Sequence, residues 1–383
     1  MQVRYRVDGD LKNIAKLPRK LKNSLVARIK VMSGLDIAEK RKPQDGGIKL
    51  NMGDRKVDLR VSIIPIFFGE KIVIRILDPK GTKTQLESLG FSDKDLRIIK
   101  GVIQKPQGMV LVTGPTGSGK TSSIYAALNY VKCEEKNIIT IEDPVEYLMN
   151  GINQIQVNIK AGVTFAKGLR SILRQDPNVI LVGEIRDDET AEIALRASMT
   201  GHLVFSTLHT NSAIATFARL YDIGMKPYLV ASCLSLVIAQ RLVRINCPRC
   251  SEPYLPSSQL LDRFQNYFKK RPVDVFSKGQ GCDHCLGSGY LGRTAVYEFI
   301  LVTDRIRELI VQKVAEGEIL KELKRTGFKT IIENGLEKVA EGITSLEEIS
   351  NIIEFSDDIH RSVENVLKTH PILLYANTKK SPR

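Results

Sequence analysis

The sequence predicts an α/β protein. Its centre reads as a mostly parallel sheet covered by helices, with a small α+β unit before it and a four-cysteine module and further helices after it. Three observations carry this. Short β-rich runs (VLVTG, NIITIED, VILVGE, LVFSTLH) alternate with amphipathic helical stretches up to about Arg244. The run MVLVTG leads into a glycine-rich loop and then a helix. Two C-x-x-C pairs lie in a segment rich in Cys, Gly and Pro.

Bulk properties bound the answer. A chain of 383 residues has room for two or three domains. With 43% hydrophobic and 26% charged residues, wholesale disorder is excluded. No stretch approaches the ~20 apolar residues that span a bilayer. The opening MQVRYRVDGDL has charges but no apolar run after it, so it does not read as a secretory signal. The formal charge of +14 is concentrated: residues 1–100 carry 23 Lys and Arg against 12 Asp and Glu. That bias fits an anionic partner, or a solvated surface with a few phosphate-binding arginines.

Residues 1–80 read as the α+β unit. Val3, Tyr5 and Val7 alternate with polar residues, and Asp8-Gly9-Asp10 is turn chemistry. The chain thus opens mid-hairpin, as a piece of a longer protein would. A helix is expected over Leu21–Met32, then antiparallel strands through GIKLNMGDRKVDLRVS and EKIVIRILD. Polar residues 81–88 read as a linker. The α/β core is expected over 89–244, with helices over Lys120–Tyr130 and Thr190–Met199. The cysteine module is expected over 245–295. A helical region with a polar, basic tail is expected over 296–383.

The strongest chemical signal is Gly114-Pro115-Thr116-Gly117-Ser118-Gly119-Lys120-Thr121, followed by Ser122, which fits G-x-x-x-x-G-K-[ST] between a strand and a helix. The glycines let backbone N–H groups wrap an anion, and the helix N-terminus adds positive partial charge. Lys120 would reach the β- and γ-phosphates of ATP, and Thr121 would ligate Mg²⁺. Hydrolysis also needs a carboxylate for water and positive charge for the transition state. Two predicted strands end in acids: Glu142, Asp143 and Glu146 after one, Glu184 and Asp187 after the other. Parallel strand ends share an edge with the phosphate loop, so either group could reach nucleotide; each could also be a surface carboxylate. His202 and His209 flank the strand LVFSTL. His209, past the strand end, could donate to a γ-phosphate, or could be satisfied by backbone.

Cys247, Cys250, Cys282 and Cys285 form two C-x-x-C knuckles, which suit a closed, structural zinc site. His284 could replace one thiolate, but the four-cysteine set suffices. Cys133 and Cys233 fall in predicted helices and read as small core residues.

In order along the chain, PQDGGIKL, VDLRVSIIP, GPTGSGKTSS, ITIEDPVEY, LRSILRQDPNVILVGEIRDDETAEIALRASMTGH, GHLVFSTLHTN, QRLVR, the paired C-x-x-C, GYLGRTAVYE and GITSLEEI resemble the secretion ATPases of type II secretion and type IV pilus assembly. The resemblance covers roughly residues 3–350. It departs in three places: the family's usual large N-terminal region that docks to a membrane platform is not in this sequence, Gly47 stands where an arginine is common, and the tail beyond Ile353 is unmatched. It implies a RecA-like P-loop NTPase core behind a small α+β, PAS-like domain, with a four-cysteine zinc module and C-terminal helices. It implies that Glu142 handles the attacking water and that Glu184 is the Walker B glutamate. His202 and His209 would be the His-box histidines. Arg60 and Arg75 would be presented to nucleotide when the N-terminal domain closes, with the linker as hinge. Cofactors would be ATP, Mg²⁺ and Zn²⁺. The working unit would be a homo-hexameric ring in the cytoplasm, held at the inner face of the cytoplasmic membrane by a platform protein, with no nucleic-acid partner. A nucleic-acid translocase and a nucleotide-gated binding protein are the alternatives. The basic excess lying outside the core, with no basic-aromatic stacking pattern, counts against the first.

Overall fold

The computed structural model describes residues 1–53, 55–77 and 85–352. The chain opens with β1 (Gln2–Val7) and β2 (Asp10–Lys16), an antiparallel hairpin. Asp8 (φ 49°) and Gly9 (φ 101°) both take positive φ, the conformation a two-residue hairpin turn demands. Next come α1 (Lys22–Met32) and an antiparallel sheet of β3 (Gln44–Met52), β4 (Arg55–Ile66) and β5 (Gly69–Leu77) in that order. Ile48, Val61 and Ile63 are buried there against Ile29 and Leu35.

This is the expected α+β unit, with one difference. The β1–β2 hairpin forms its own sheet, and its polar groups engage the far end of the chain. Asp8 accepts from the Gly292 N–H at 2.9 Å and lies 3.6 Å from Arg293. Asp10 pairs with Arg244. Lys12 Nζ donates to the Cys285 and Leu286 carbonyls at 3.3 and 3.1 Å. An isolated two-stranded hairpin has little core of its own, so such anchors hold it in place.

Of the expected linker, residues 81–84 lie outside the described residues. Residues 86–89 form a 3-10 turn with Leu86 and Leu89 buried in the core. The core then alternates as predicted. Its first half is α2 (Asp93–Ile103), β6 (Gly108–Thr113), α3 (Lys120–Val131), β7 (Ile138–Glu142), β8 (Asn153–Gln156) and α4 (Phe165–Ile172). Its second half is β9 (Val179–Val182), α5 (Asp188–Met199), β10 (Leu203–Leu208), α6 (Ala215–Asp222), α7 (Pro227–Cys233) and β11 (Leu234–Asn246). Cap residues mark several helix starts: the Ser92 hydroxyl caps α2 and the Asp187 carboxylate caps α5.

The cysteine segment contributes β12 (Ser251–Tyr254), α8 (Ser258–Arg263), α9 (Gln265–Phe268) and β13 (Phe276–Gly279). The chain returns in β14 (Tyr290–Leu301) and continues through α10 (Asp304–Val311), α11 (Glu316–Arg325) and α12 (Ile331–Ala340), with a last helical segment over 346–352. Residues beyond 352, including the expected tail, lie outside the described residues.

The central sheet has the order β14-β11-β6-β10-β9-β7-β8. Every neighbouring pair is parallel except β11–β14. Both faces are covered, which explains the unbroken apolar runs. In β6, Met109 and Leu111 join the cluster under α4, α5 and α7, while Val110 and Val112 join the cluster under α2 and α3.

Two expectations change. Tyr290–Leu301 is an edge strand of the central sheet, so the cysteine module is an insertion between two hydrogen-bonded strands. Cys133 is exposed, just past the end of α3. Cys233 is buried, and its thiol donates to the Leu195 carbonyl at 3.1 Å.

Candidate active site

Because β6, β7, β9 and β10 are parallel, their C-terminal ends share one edge, and the glycine loop sits on it. Gly114 adopts φ 145°, and a Cβ there would lie 2.5 Å from the Gln240 carbonyl and 2.6 Å from Ser118 Oγ. Only glycine lets the loop pass so close to β11. Lys120 Nζ donates to the Gly114 and Pro115 carbonyls at 2.8 and 3.0 Å, so its ammonium lies over the loop. Burial lowers its pKa, Glu184 opposes that and Arg241 adds to it. Thr121 and Ser122, half-buried, sit in the first turn of α3. Ser118 Oγ is buried with no hydrogen-bond partner among the described residues, a polar atom that fits an anion cradle. The loop, the helix start and the lysine thus suit a nucleotide's phosphates.

Glu184 follows β9 at the same edge. It pairs with Arg186, and His209 Nε2 lies 3.5 Å from its second oxygen. Arg186 also lies 4.0 Å from Asp143. Gly183, which precedes Glu184, sits where a Cβ would lie 3.2 Å from Glu142 Cα. A side chain there would press on the end of β7, so the site favours glycine.

Glu142 is 4% exposed and turned into the protein. Its oxygens accept from the Tyr125 hydroxyl, from Thr140 Oγ1 at 2.6 Å and from Gln154 Nε2 at 3.3 Å. Burial, then the charge on Glu142, pushes the neighbouring Tyr147 hydroxyl up to about 12.

The remaining candidates separate. Arg60 spans from the α+β unit to the loop after β7: it donates to the Val145 carbonyl and lies 3.7 Å from Glu146. Arg75 is its direct cross-strand partner, exposed and without an ion pair among the described residues. Asp187 accepts from the Thr190 N–H at 2.8 Å and caps α5. His202 is not brought to the cluster. It precedes β10, at the opposite sheet edge from His209, and its Nδ1 lies 3.0 Å from the Ala197 carbonyl at the end of α5. A six-residue strand separates the two rings by roughly 20 Å.

Two residues were not singled out from sequence. Gln240 on β11 is 1% exposed and clamps the loop: Nε2 donates to the Ser118 carbonyl at 2.7 Å, and Oε1 accepts from Ser123 Oγ at 2.8 Å. Arg241 donates to the Asn211 carbonyl and Oδ1, each at 3.2 Å, and to the Gln240 carbonyl at 3.1 Å. The signal was present, since Gln-Arg interrupts the apolar run LSLVIAQRLV of an otherwise buried strand. Gln240→Leu leaves the Ser118 carbonyl and Ser123 hydroxyl unpaired. We expect it to destabilise the chain by about 1–3 kcal/mol and to raise KM for ATP. Thermal unfolding and steady-state kinetics measure the two effects.

A second site lies beyond β11. The Sγ atoms of Cys247, Cys250, Cys282 and Cys285 all lie within 4.8 Å of one another. The 247–282, 250–285 and 282–285 pairs are 3.9, 3.9 and 3.8 Å apart. A tetrahedron with Zn–S of about 2.3 Å has edges of about 3.8 Å, so the donor set fits zinc. Burial opposes ionisation of Cys285, but the Cys282 and Gly289 N–H groups, 3.1 and 3.2 Å from its sulfur, and the neighbouring Cys282 and Cys250 thiols lower its pKa.

Known proteins resemble this arrangement. Residues 1–351 match the model of the family described as Type II/IV secretion system protein. The chain is 48% identical over 356 residues to the Type II secretion system ATPase E of Vibrio cholerae, covering 93% of this chain and 70% of that one. It is 48% identical over 354 residues to the Type IV pilus assembly ATPase PilB of Acinetobacter baylyi, covering 92% and 61%. Among solved structures, the pilus retraction motor PilT with bound ADP has a TM-score of 0.62 and 27% identity, over 91% of this chain and 89% of that one. The Legionella pneumophila ATPase DotB, at 22% identity and a TM-score of 0.64 over 90% of this chain and 87% of that one, shares the fold. With its phosphate loop at the shared strand edge, this chain belongs to the type II/IV secretion system protein family and is an ATPase of that family.

Proposed function

We propose that the chain is a subunit of a hexameric ring motor that hydrolyses Mg-ATP to power type II protein secretion or pilus or pseudopilus assembly. The observation that carries the proposal is the convergence of Lys120, Glu184 and His209 on the strand edge, with Arg60 reaching across from the α+β unit. Lys120 and the loop amides hold the phosphates. Thr121 holds Mg²⁺, which when bound would neutralise charge on the phosphate oxygens. Glu184 orients water, and His209 is held by Glu184 to donate to the γ-phosphate side. Glu142, the other carboxylate expected to handle water, has its oxygens taken by Tyr125, Thr140 and Gln154 and holds the end of β7 instead. Arg60 and Arg75 bring fixed positive charge when the α+β unit closes on nucleotide, so bond cleavage becomes domain movement. The four cysteines hold structural zinc.

The ring would work at the cytoplasmic face of a membrane through a platform protein. No helix among the described residues is long and apolar enough to cross a membrane. The relatives favour this reading over a nucleic-acid translocase. The deciding experiment is Glu184→Gln. We expect ATP binding to be retained and kcat to fall by about 10²–10³-fold. Normal turnover in that variant would remove Glu184 from the chemistry.

A further inference from the structure

We propose that Arg241 is a second phosphate-binding cation of the nucleotide site, supplied by the same chain as Lys120. The proposal rests on the reading of residues 114–122 as the ATP loop.

The position follows from strand register. β11 runs parallel to β6 with Ala239 opposite Thr113, so Arg241 lies two residues further on, alongside the start of the loop. The Gln240 carbonyl between them is the atom a Cβ on Gly114 would strike. From the other side, Thr210 is fixed to the end of β6: its N–H donates to Thr113 Oγ1 at 2.9 Å, and the two hydroxyls lie 2.6 Å apart. Asn211, the next residue, holds the Arg241 guanidinium. Arg241 is therefore bracketed between the loop and the segment carrying His209.

Its bonding pattern is that of an anion site. The guanidinium donates to two carbonyls and one side-chain amide oxygen, and makes no ion pair among the described residues. Glu298 is the carboxylate whose charge it feels, but Glu298 spends its oxygens on the Ala213 and Ile331 N–H groups at 2.7 and 3.1 Å. Burial, which opposes the charge, lowers the pKa of Arg241. The charge on Arg241 in turn depresses that of Lys120 across the loop. Two cations converging on one glycine loop, one of them without a carboxylate partner, are stabilised by a polyanion lying between them. A guanidinium grips two phosphate oxygens with a planar, bidentate fork, whereas an ammonium acts as a point charge.

The test uses the full chain and competition binding with ATP, ADP and adenosine, Mg²⁺ present. Arg241→Gln should weaken ATP and ADP by about tenfold or more and leave adenosine unchanged. Arg241→Lys should recover part of the loss. Unchanged ATP affinity in Arg241→Gln, or an equal loss for adenosine, overturns the proposal. If Arg241→Gln does not fold, Asn211→Ala removes the guanidinium's one side-chain acceptor, leaving the Gln240 and Asn211 carbonyls in place, without changing the charge. A loss of roughly two- to fivefold for ATP and none for adenosine is expected there, and no change overturns the proposal. Lys120→Ala separates the two readings: if it too leaves ATP binding intact, the loop assignment itself fails, whereas loss in Lys120→Ala alone refutes only Arg241.

Discussion

Lys120→Ala is expected to lower kcat/KM for ATP by on the order of 10³-fold, the largest effect of any single change in this chain. The ammonium is half-buried at the start of α3, where the low local dielectric strengthens its attraction for phosphate oxygens. Alanine is a good helix former, so α3 should persist and the unfolding midpoint should move little. The loss therefore reports lost electrostatics rather than lost structure. Nucleotide titration followed by a phosphate-release assay measures it. Turnover within about tenfold of the parent would mean that the loop does not cradle the phosphates.

Cys285→Ser should have the largest effect on stability. The segment between Cys247 and Gly289 holds short strands and two short helices, and Phe264 is its main buried aromatic residue. A structural zinc can contribute about 10–16 kcal/mol of binding free energy to a small module, far more than such a core supplies. Cys285 is also the sulfur that receives two backbone N–H groups, which a serine hydroxyl would not replace as a thiolate. We expect elemental analysis to find well under one zinc per chain and limited proteolysis to cut first between residues 250 and 280. Chelation of the parent should give the same cleavage pattern. A variant lacking metal yet resistant to protease would show that the module folds on its own packing.

The local chemistry was legible because it is encoded locally. The loop from Gly114 to Ser122 and the helix after it read directly from the glycine spacing; the helix was expected over Lys120–Tyr130 and runs over Lys120–Val131. The cysteine pairs carried their own spacing, and their sulfurs meet. What was not legible is long-range pairing. Tyr290–Leu301 looked like the end of a cysteine-rich segment because its partner, β11, lies on the other side of the insertion. The β1–β2 hairpin looked like part of the first unit because the partners of Asp8, Asp10 and Lys12 lie 284, 234 and 274 positions away. The two histidines flanking LVFSTL looked alike in sequence. Strand geometry sends them to opposite edges, and only His209 meets Glu184. Gln240 and Arg241 stood out locally as a polar pair in an apolar run, but their role depends on which strand lies next to β6, and that pairing is not written in the run itself.

β11 has a mechanical consequence. One strand passes the first glycine of the loop at Gln240 and, after a register shift between Arg244 and Asn246, ends at Asn246, next to Cys247. Its antiparallel mate β14 stiffens it along most of that length. A displacement at the loop end would be carried along the paired ribbon as tilt rather than stretch as far as the register shift after Arg244. Arg244, near that end, grips both Asp10 and Glu348. Any such tilt would be shared out at once to the opening hairpin and to the helical turn that carries Glu348, making β11 a rocker arm with its fulcrum beside the fuel.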